Sequence, residues 1–157
     1  DAGFGDGLIE AVPLRMGGFA NGAFNCSLED ISGEHGDGWL RYHNDPRGSA
    51  PSFDFNRNVT DDTLLEKLCA YLQTSEESSF VQNAVVQRWV DGEHLSVRGR
   101  VFQRITNASK DKTLVESAED YVRLWRDEFN LDLPQAAQLW PKICARHDEL
   151  FSAETAN

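Results

Sequence analysis

The residues best suited to chemistry lie at the start of the sequence, where residues 1–7 read Asp-Ala-Gly-Phe-Gly-Asp-Gly. An acid precedes a run of alternating glycines that carries one aromatic side chain. Glycine lets the backbone adopt a positive φ or come close to another group, because no Cβ stands in the way. The stretch therefore suits a carboxylate that works beside a closely packed ligand, or else a plain hairpin corner. Spacing alone favours the corner, because an isolated glycine motif is a weak signal.

The cysteines and histidines form no recognisable site by spacing. Cys26, Cys69 and Cys144 are odd in number and far apart, which argues against a disulfide framework and against a zinc knuckle. Cys69 and Cys144 lie on apolar helical stripes, so we interpret them as small core residues. The histidines, which show no metal-ligand pattern, are His35, His43, His94 and His147. We therefore predict no metal site, and free cysteines in a reduced, cytoplasmic setting.

The composition is that of a folded protein and not of a disordered one. The 157 residues suffice for one large domain or two small ones, and 40% are hydrophobic. A net charge of −11 argues against a nucleic-acid partner, which needs a basic surface. No apolar run approaches the ~18 residues of a membrane span, so we predict no membrane partner. One cluster of arginines suits a local phosphate pocket or a solvated strand face: Arg88, Arg98, Arg100 and Arg104.

The first third of the chain has the pattern of short strands separated by turns. Apolar and polar residues alternate at 24–28, and strand-like runs follow at 39–43 and 52–55. Turn signals stand at 16–18 and at Asn21-Gly22. This spacing predicts a small antiparallel sheet or a partial barrel.

Helical periodicity begins near Thr60, where acids in the first turn face the helix dipole. Its apolar stripe consists of Leu64, Leu65, Leu68, Tyr71 and Leu72. A strand-like run at 80–90, a two-residue Asp91-Gly92 turn and a return at 94–104 predict a hairpin. A polar connection at 106–113 then leads to helices at 117–130, from Pro134, and at 141–152. The whole pattern predicts an α+β protein.

Two motifs in this order resemble the arylamine N-acetyltransferase family. Residues 1–5, followed by Val-Pro-Leu at 12–14, look like the family segment that carries the triad aspartate. Tyr-Leu-Gln-Thr-Ser at 71–75, with Ser78 and Phe80 after it, is similar to the segment between the family's second and third domains. The resemblance implies a β-barrel-like domain at 1–60, an interdomain helix at 61–75 and a mixed α/β third domain at 76–157. It implies a cysteine-proteinase-like (papain-like) fold for the full enzyme.

The resemblance also implies a reaction. The family moves an acetyl group from acetyl-CoA to an arylamine or arylhydrazine through a cysteine thioester, in a ping-pong cycle that uses a Cys-His-Asp triad. Carried over by position, Asp1 would be the triad carboxylate, which holds and stabilises the charged imidazole. Phe4, Gly5 and Phe80 would line the acceptor pocket. Residues near the CoA cleft would be Gly3, Tyr71 and Ser78.

The sequence also departs from the family pattern. The family's catalytic Cys and His precede the aspartate, and no Cys or His of this chain occupies those positions. We therefore expect this chain alone to be inactive and to lack an N-terminal domain that is its partner in the full enzyme. Glu77 stands near the expected CoA phosphates, which a negative charge would repel.

Two other functions stay open at this stage. One is an amide synthase that uses the same triad to release a polyketide as a macrolactam, which neighbouring polyketide genes would indicate. The other is a non-catalytic binding module, which would be a well-behaved monomer. A fragment of a larger enzyme would instead expose an apolar surface and associate in solution.

Overall fold

The structure, a computed structural model, describes residues 6–152 and the side chains up to Leu150. The described chain divides into two compact units. The first comprises residues 6–63, 89–94 and 105–110, and the second comprises 64–88, 95–104 and 111–152. The secondary structure is α+β, with two four-stranded sheets and helices, which confirms the predicted fold class at this level. Residues 6–152 form no closed barrel.

The first unit contains an antiparallel sheet in the order β1-β2-β3-β4. Its strands are β1 (Gly17–Asn21), β2 (Phe24–Asp30), β3 (Trp39–His43) and β4 (Ser52–Asn56), with the short helix α1 (Ser32–His35) between β2 and β3. The sequence analysis predicted β2, β3 and β4, but it placed a turn where β1 begins. Hydrogen bonds to β2 hold this glycine-rich segment extended, with Gly17 opposite Leu28.

Alternate residues of β2 form the centre of this unit's core. Phe24, Cys26 and Leu28 are buried, and the residues between them face outward or lie half-buried. Tyr42 and Ile105 complete the cluster, against which partly buried residues pack: Leu8, Phe19, Phe53, Phe55 and Trp89. Fully burying a large apolar side chain is worth roughly 1.5–3 kcal/mol, so these side chains dominate the stability of the unit.

Helix α2 (Asp62–Thr74) forms where the sequence predicts it, but none of its residues is buried. Cys69 is exposed there, so its interpretation as a core residue was wrong. The helical stripe has the period of a packed face, yet the described residues do not cover it. Cys144, on the last helix, is half-buried.

The second sheet has the order β5-β6-β7-β8, each strand beside the next along the chain. Its strands are β5 (Val85–Val90), β6 (Glu93–Arg98), β7 (Val101–Ile105) and β8 (Lys110–Leu114). Asp91 and Gly92 join β5 to β6, and both have positive φ, as the predicted type I′ turn requires.

Three predictions in this region were wrong in detail. Residues Ser79–Gln82, which were predicted as the start of a strand, form a short helix, α3, because the Ser78 side chain caps its first turn. The return strand is split in two, since Gly99 adopts a left-handed φ and turns the chain. The polar connection contains β8, whose exposed, charged residues are typical of an edge strand.

Three helical segments complete the second unit. They are α4 (Ala118–Phe129), a 3₁₀ helix (Pro134–Leu139) and α5 (Trp140–Ser152). Ser117 accepts a hydrogen bond from the Asp120 amide, and Asn130 ends α4 in the left-handed conformation, as the sequence predicts. Tyr121 and Trp125 are buried on the inner face of α4. Within residues 6–152, no helix is both long enough and apolar enough to cross a bilayer.

Candidate functional site

Four of the predicted site residues, Asp1, Gly3, Phe4 and Gly5, lie outside the described residues. The description begins at Asp6, the next residue along the chain. The candidate site is therefore built from the groups that hold residues 6–9 and, separately, from the segment of the second unit that carries Tyr71, Ser78 and Phe80.

The Asp6 carboxylate is buried and engaged on one side by the loop after β3. Its Oδ2 atom accepts a hydrogen bond from Asn44 Nδ2 at 2.8 Å and another from the Ser49 amide at 2.9 Å. Gly48 lies against this pair, and a Cβ added there would collide with the Asn44 amide and the Asp6 carboxylate. A glycine is therefore needed at position 48 for the loop to close around Asp6.

The other oxygen of Asp6 faces a buried histidine. His94 Nε2 lies 3.6 Å from Asp6 Oδ1, and the His94 side chain is only 1% exposed. Its ring packs against the Phe24 ring and the Trp89 ring, with centroids 5.3 and 4.8 Å away. Burial lowers the pKa of His94, although the nearby Asp6 carboxylate favours the charged ring. His94 is consequently held as a neutral ring between an acid and two aromatic side chains.

The backbone of residues 6–9 is also held by side chains. Trp89 Nε1 donates a hydrogen bond to the Asp6 carbonyl at 2.9 Å. Asn21 donates to the Gly7 carbonyl and accepts from the Ile9 amide, each at 3.0 Å. The chain leaving the glycine stretch is thus held by groups from β1, β5 and the loop after β3.

A second acid, Asp45, stiffens that same loop. It accepts hydrogen bonds from the Arg47 guanidinium and, more weakly in effect, from the Asn25 amide, and these lower the pKa of Asp45 to about 2. Arg47 also donates to the carbonyls of Thr106 and Ala23. The loop that holds Asp6 is therefore fixed to residues 23–25 and to Thr106 of the first unit.

Cys26 has the surroundings of a core residue and not of a nucleophile. Its thiol accepts a hydrogen bond from the Tyr42 hydroxyl at 3.0 Å. Burial raises the pKa of Cys26, whereas a reactive cysteine needs its thiolate stabilised. On α2, the exposed Cys69 accepts a hydrogen bond from Gln73. Within residues 6–152, no group of His, Cys, Asp and Glu side chains could hold a metal ion.

The second unit holds the other three predicted site residues. Ser78 is buried, and its hydroxyl donates to the Leu72 carbonyl and accepts from the Phe80 amide. Tyr71, on α2, and Phe80, on α3, are 44% and 62% exposed. Ser78 thus builds the turn between the two helices, while both aromatic side chains point away from the described core.

This turn does not by itself suit the phosphates of CoA. The charged residues between 71 and 80 are Glu76 and Glu77, both negative and both exposed. Two carboxylates repel a diphosphate. Cationic groups from elsewhere in the protein would have to bind it.

Sequence reasoning missed the cluster around Asp6. Asn44 and His94 are separated from Asp6 by 38 and 88 residues, so no local pattern links them. His94 appeared only as a histidine near a strand end. The one available signal was the acid directly after the glycine stretch.

Comparisons with known proteins define the class to which this fold belongs. A family model described as N-acetyltransferase matches residues 1–138. No curated protein matches the sequence significantly. Since the model covers most of the chain, this chain belongs to the arylamine N-acetyltransferase family.

Solved structures of the family share the fold. The arylamine N-acetyltransferase of Nocardia farcinica is 22% identical and superposes with a TM-score of 0.72, over 88% of this chain and 50% of its own. The Salmonella typhimurium enzyme is 15% identical, with a TM-score of 0.70 over 92% of this chain and 55% of its own. The Mycobacterium marinum enzyme in complex with CoA is 19% identical, with a TM-score of 0.64 over 87% and 49%. The chain spans about half the length of these relatives.

Proposed function

We propose that this chain is the C-terminal half of an acetyl-CoA-dependent arylamine N-acetyltransferase. The family match over residues 1–138 carries the proposal, because it includes the acid–glycine stretch at 1–5. The CoA complex of the similar Mycobacterium marinum protein supports acetyl-CoA as the acetyl donor. The full protein would have a papain-like fold, of which residues 1–60 form part of a barrel-like domain.

The proposed reaction needs a cysteine and a histidine from the other half of the full enzyme. The cysteine thiolate attacks the acetyl carbonyl, a bond from carbon to the enzyme sulfur forms, and the bond to the CoA sulfur breaks. The imidazolium gives its proton to the departing CoA thiolate. The arylamine nitrogen then attacks the thioester and loses its proton to the imidazole, while the enzyme cysteine leaves as thiolate.

Asp1 has the third role in this scheme. Its carboxylate would accept a hydrogen bond from the imidazole and stabilise the imidazolium, which is paired with the thiolate before the first half-reaction and forms again in the second. Phe4, Gly5 and Phe80 would form the walls of the acceptor pocket, where flat apolar groups suit an aromatic ring. Gly3, Tyr71 and Ser78 would lie beside CoA, with Ser78 acting through the turn that it builds.

The exposed face of α2 supports a partner for this half of the enzyme. Leu65, Leu68, Tyr71 and Leu72 are each 40–57% exposed on one 13-residue helix. Isolated helices of this length are marginal in water, so most of their stability in proteins comes from packing. We propose that the N-terminal half of the full enzyme packs on this face.

Steady-state kinetics of the full-length protein test the proposal. With acetyl-CoA and an arylamine such as 4-aminosalicylate, double-reciprocal plots should give parallel lines, as a ping-pong cycle requires. The present chain alone should release no CoA above the rate of a blank. Intersecting lines would contradict the thioester route, and acetyl transfer by the chain alone would contradict its assignment as an inactive half.

If the full-length protein does not acetylate an arylamine, two further results distinguish the amide synthase from the binding module. If the full-length protein hydrolyses or cyclises a thioester-linked acyl chain but ignores acetyl-CoA, the amide synthase function replaces this one. A monodisperse, monomeric chain in light scattering, combined with no enzymatic activity of the full-length protein, would favour a binding module.

A further inference from the structure

We propose that the turn between β6 and β7 is a binding site for a phosphate group, which Arg98 and Arg100 hold. Every residue that carries this inference is described by the structure and lies in the second unit. The site goes beyond the acetyl-transfer reaction and does not depend on it. The sequence left the arginine cluster open as a phosphate pocket or a solvated strand face, and the structure separates its four members into two pairs.

The first pair of arginines is engaged with the end of helix α4. Arg104 Nη2 donates to the Glu128 carboxylate at 2.7 Å, and Arg88 Nη1 donates to the Glu128 carbonyl at 3.3 Å. These contacts tie the second sheet to α4. Arg88 and Arg104 therefore have a structural role and are not available to a ligand in this arrangement.

The second pair lies on either side of Gly99 in a tight turn. Gly99 has a φ of 56°, which lets the chain reverse between β6 and β7. Because Arg98 and Arg100 are two residues apart, their Cα atoms lie within about 7 Å of each other. Arg98 is exposed, and no acid among the described residues pairs with it. The turn thus carries two positive charges close together.

The Arg100 guanidinium is held in place by the surrounding protein. Its Nε donates to the Val115 carbonyl at 3.2 Å, and the Arg100 carbonyl accepts from the Val115 amide at 2.7 Å. The guanidinium carbon lies 5.6 Å from the centre of the Trp140 ring, within the range of a cation–π contact. Trp140 packs in turn against the buried Tyr121 ring at 5.6 Å. A guanidinium that is already fixed loses less conformational freedom when it binds a ligand.

The two Nη atoms of Arg100 form no hydrogen bond with a described residue. Other arginines of this unit bond to carboxylates: Arg104 to Glu128, Arg123 to Asp120, Arg126 to Asp127 and Arg146 to Glu149. The chain has 26 acids and only 15 lysines and arginines, so acidic partners are abundant. Arg100 is oriented and yet has no acidic partner among the described residues, so its outer edge is available to an anion.

The chemistry of this edge points to phosphate. The Nη edge of a guanidinium binds two oxygens of a phosphate or carboxylate side by side. Arg98 and Arg100 together supply two positive charges, which match a phosphate monoester better than a singly charged carboxylate. The exposed Glu116, which follows Val115, opposes them with a single negative charge. Both CoA and other phosphorylated small molecules carry such a group, and the experiment distinguishes these sources.

Titration of the present chain with inorganic phosphate tests the site. NMR signals of the Arg100 Nε–H and the Trp140 indole N–H should both shift and saturate, with the ionic strength held constant by chloride. Arg98→Gln and Arg100→Lys should each weaken binding by roughly 10-fold, because a charge-assisted contact is lost or the paired hydrogen bonds cannot form. Arg126→Gln is the matched control. It removes the same charge from an exposed arginine that is paired with Asp127, and it should leave the affinity unchanged.

Addition of CoA then identifies the source of the phosphate. If CoA shifts the same two signals, the site binds a phosphate of CoA. If inorganic phosphate shifts them and CoA does not, the site binds another phosphorylated molecule. Both results support the site.

Two results would overturn it: shifts that do not saturate, or wild-type affinity in Arg98→Gln. The Arg98 side chain makes no contact with the described residues, so this variant keeps the test valid if Arg100→Lys does not fold. Such a failure would leave the proposed function intact, because acetyl transfer is measured separately on the full-length protein.

Discussion

The cluster around Asp6 and the α2–α3 segment differ in how their contacts are completed. Around Asp6, the buried carboxylate accepts hydrogen bonds from distant parts of the first unit, Asn44 and Ser49, at 2.8–2.9 Å. On α2, apolar side chains such as Leu68 stay exposed, and no residue of the helix is buried. The first region is packed by described residues of this chain, and the second has the pattern of a packed face that the described residues do not cover.

The comparison separates a region of this chain that packs on itself from a region that exposes an apolar face. Polar groups that are satisfied inside a low-dielectric core make a unique, rigid arrangement. An uncovered apolar stripe instead marks an interaction surface. Mutations in the two regions should therefore have opposite consequences, and the following predictions test this in order of decreasing effect.

The largest effect should come from Phe24→Ala. Phe24 is 1% exposed and packs against the Trp89 ring at 5.0 Å. Removing a buried phenyl ring leaves a cavity and typically lowers the free energy of unfolding by about 3–5 kcal/mol. Phe80→Ala is the matched control and should change it by less than about 0.5 kcal/mol, because Phe80 is 62% exposed. Urea unfolding measures the free energy of unfolding of both variants. Equal decreases in Phe24→Ala and Phe80→Ala would contradict the difference in packing between the two regions.

The next largest effect should come from Asp45→Asn. It should lower the free energy of unfolding by about 2–3 kcal/mol, because hydrogen bonds to a charged group are lost. The pKa of Asp45 is lowered to about 2 from 3.8, so its contribution is complete above pH 3.8 and is lost as the pH falls through 2. The difference in the free energy of unfolding between the variant and the wild type, measured by urea unfolding, should therefore be smaller at pH 2.5 than at pH 6. Asp37→Asn, the control at an exposed acid, should have the same free energy of unfolding as the wild type at both pH values. A gap that does not change with pH would show that Asp45 contributes by shape and not by charge.

A smaller, pH-dependent effect should come from His94. Because its folded pKa lies below 6.5, folding favours the neutral ring. The stability that folding gains from the neutral His94 ring is present above pH 6.5 and is lost as the pH falls below that value. The urea midpoint should drop between pH 7.5 and pH 5 in the wild type and less in His94→Gln, which cannot titrate. An equal slope in His94→Gln would contradict the buried neutral ring.

The smallest effect on folding should come from charges on α2. In the present chain, Leu65→Glu with Leu68→Lys should change the free energy of unfolding by less than about 0.5 kcal/mol, since both positions are exposed. The same pair should reduce self-association in light scattering, because it breaks the apolar stripe. In the full-length enzyme it should destabilise the protein. If the two substitutions leave the self-association of the chain unchanged, the apolar stripe of α2 is not the surface through which the chain associates.

Sequence patterns predicted most local elements and few of the long-range contacts. The Asp91-Gly92 turn, the Ser117 cap and the period of α5 are set by neighbouring residues, and they appeared as predicted. The short helix α3 was missed because one cap at Ser78 overrides the strand-forming residues after it. The cluster around Asp6 was missed because its partners come from three separate segments: β1, the loop after β3 and the β5–β6 hairpin. The predicted site residues Tyr71, Ser78 and Phe80 stay predictions, as do Asp1, Gly3, Phe4 and Gly5.

The most direct test of the central claim is the intact mass of the full-length protein after a brief reaction with acetyl-CoA and no acceptor. The account predicts the mass increase of one acetyl group on a cysteine outside the present chain, which disappears when an arylamine is added. An unmodified full-length protein with its cysteines intact, or an acetyl group on Cys26, Cys69 or Cys144, would contradict it.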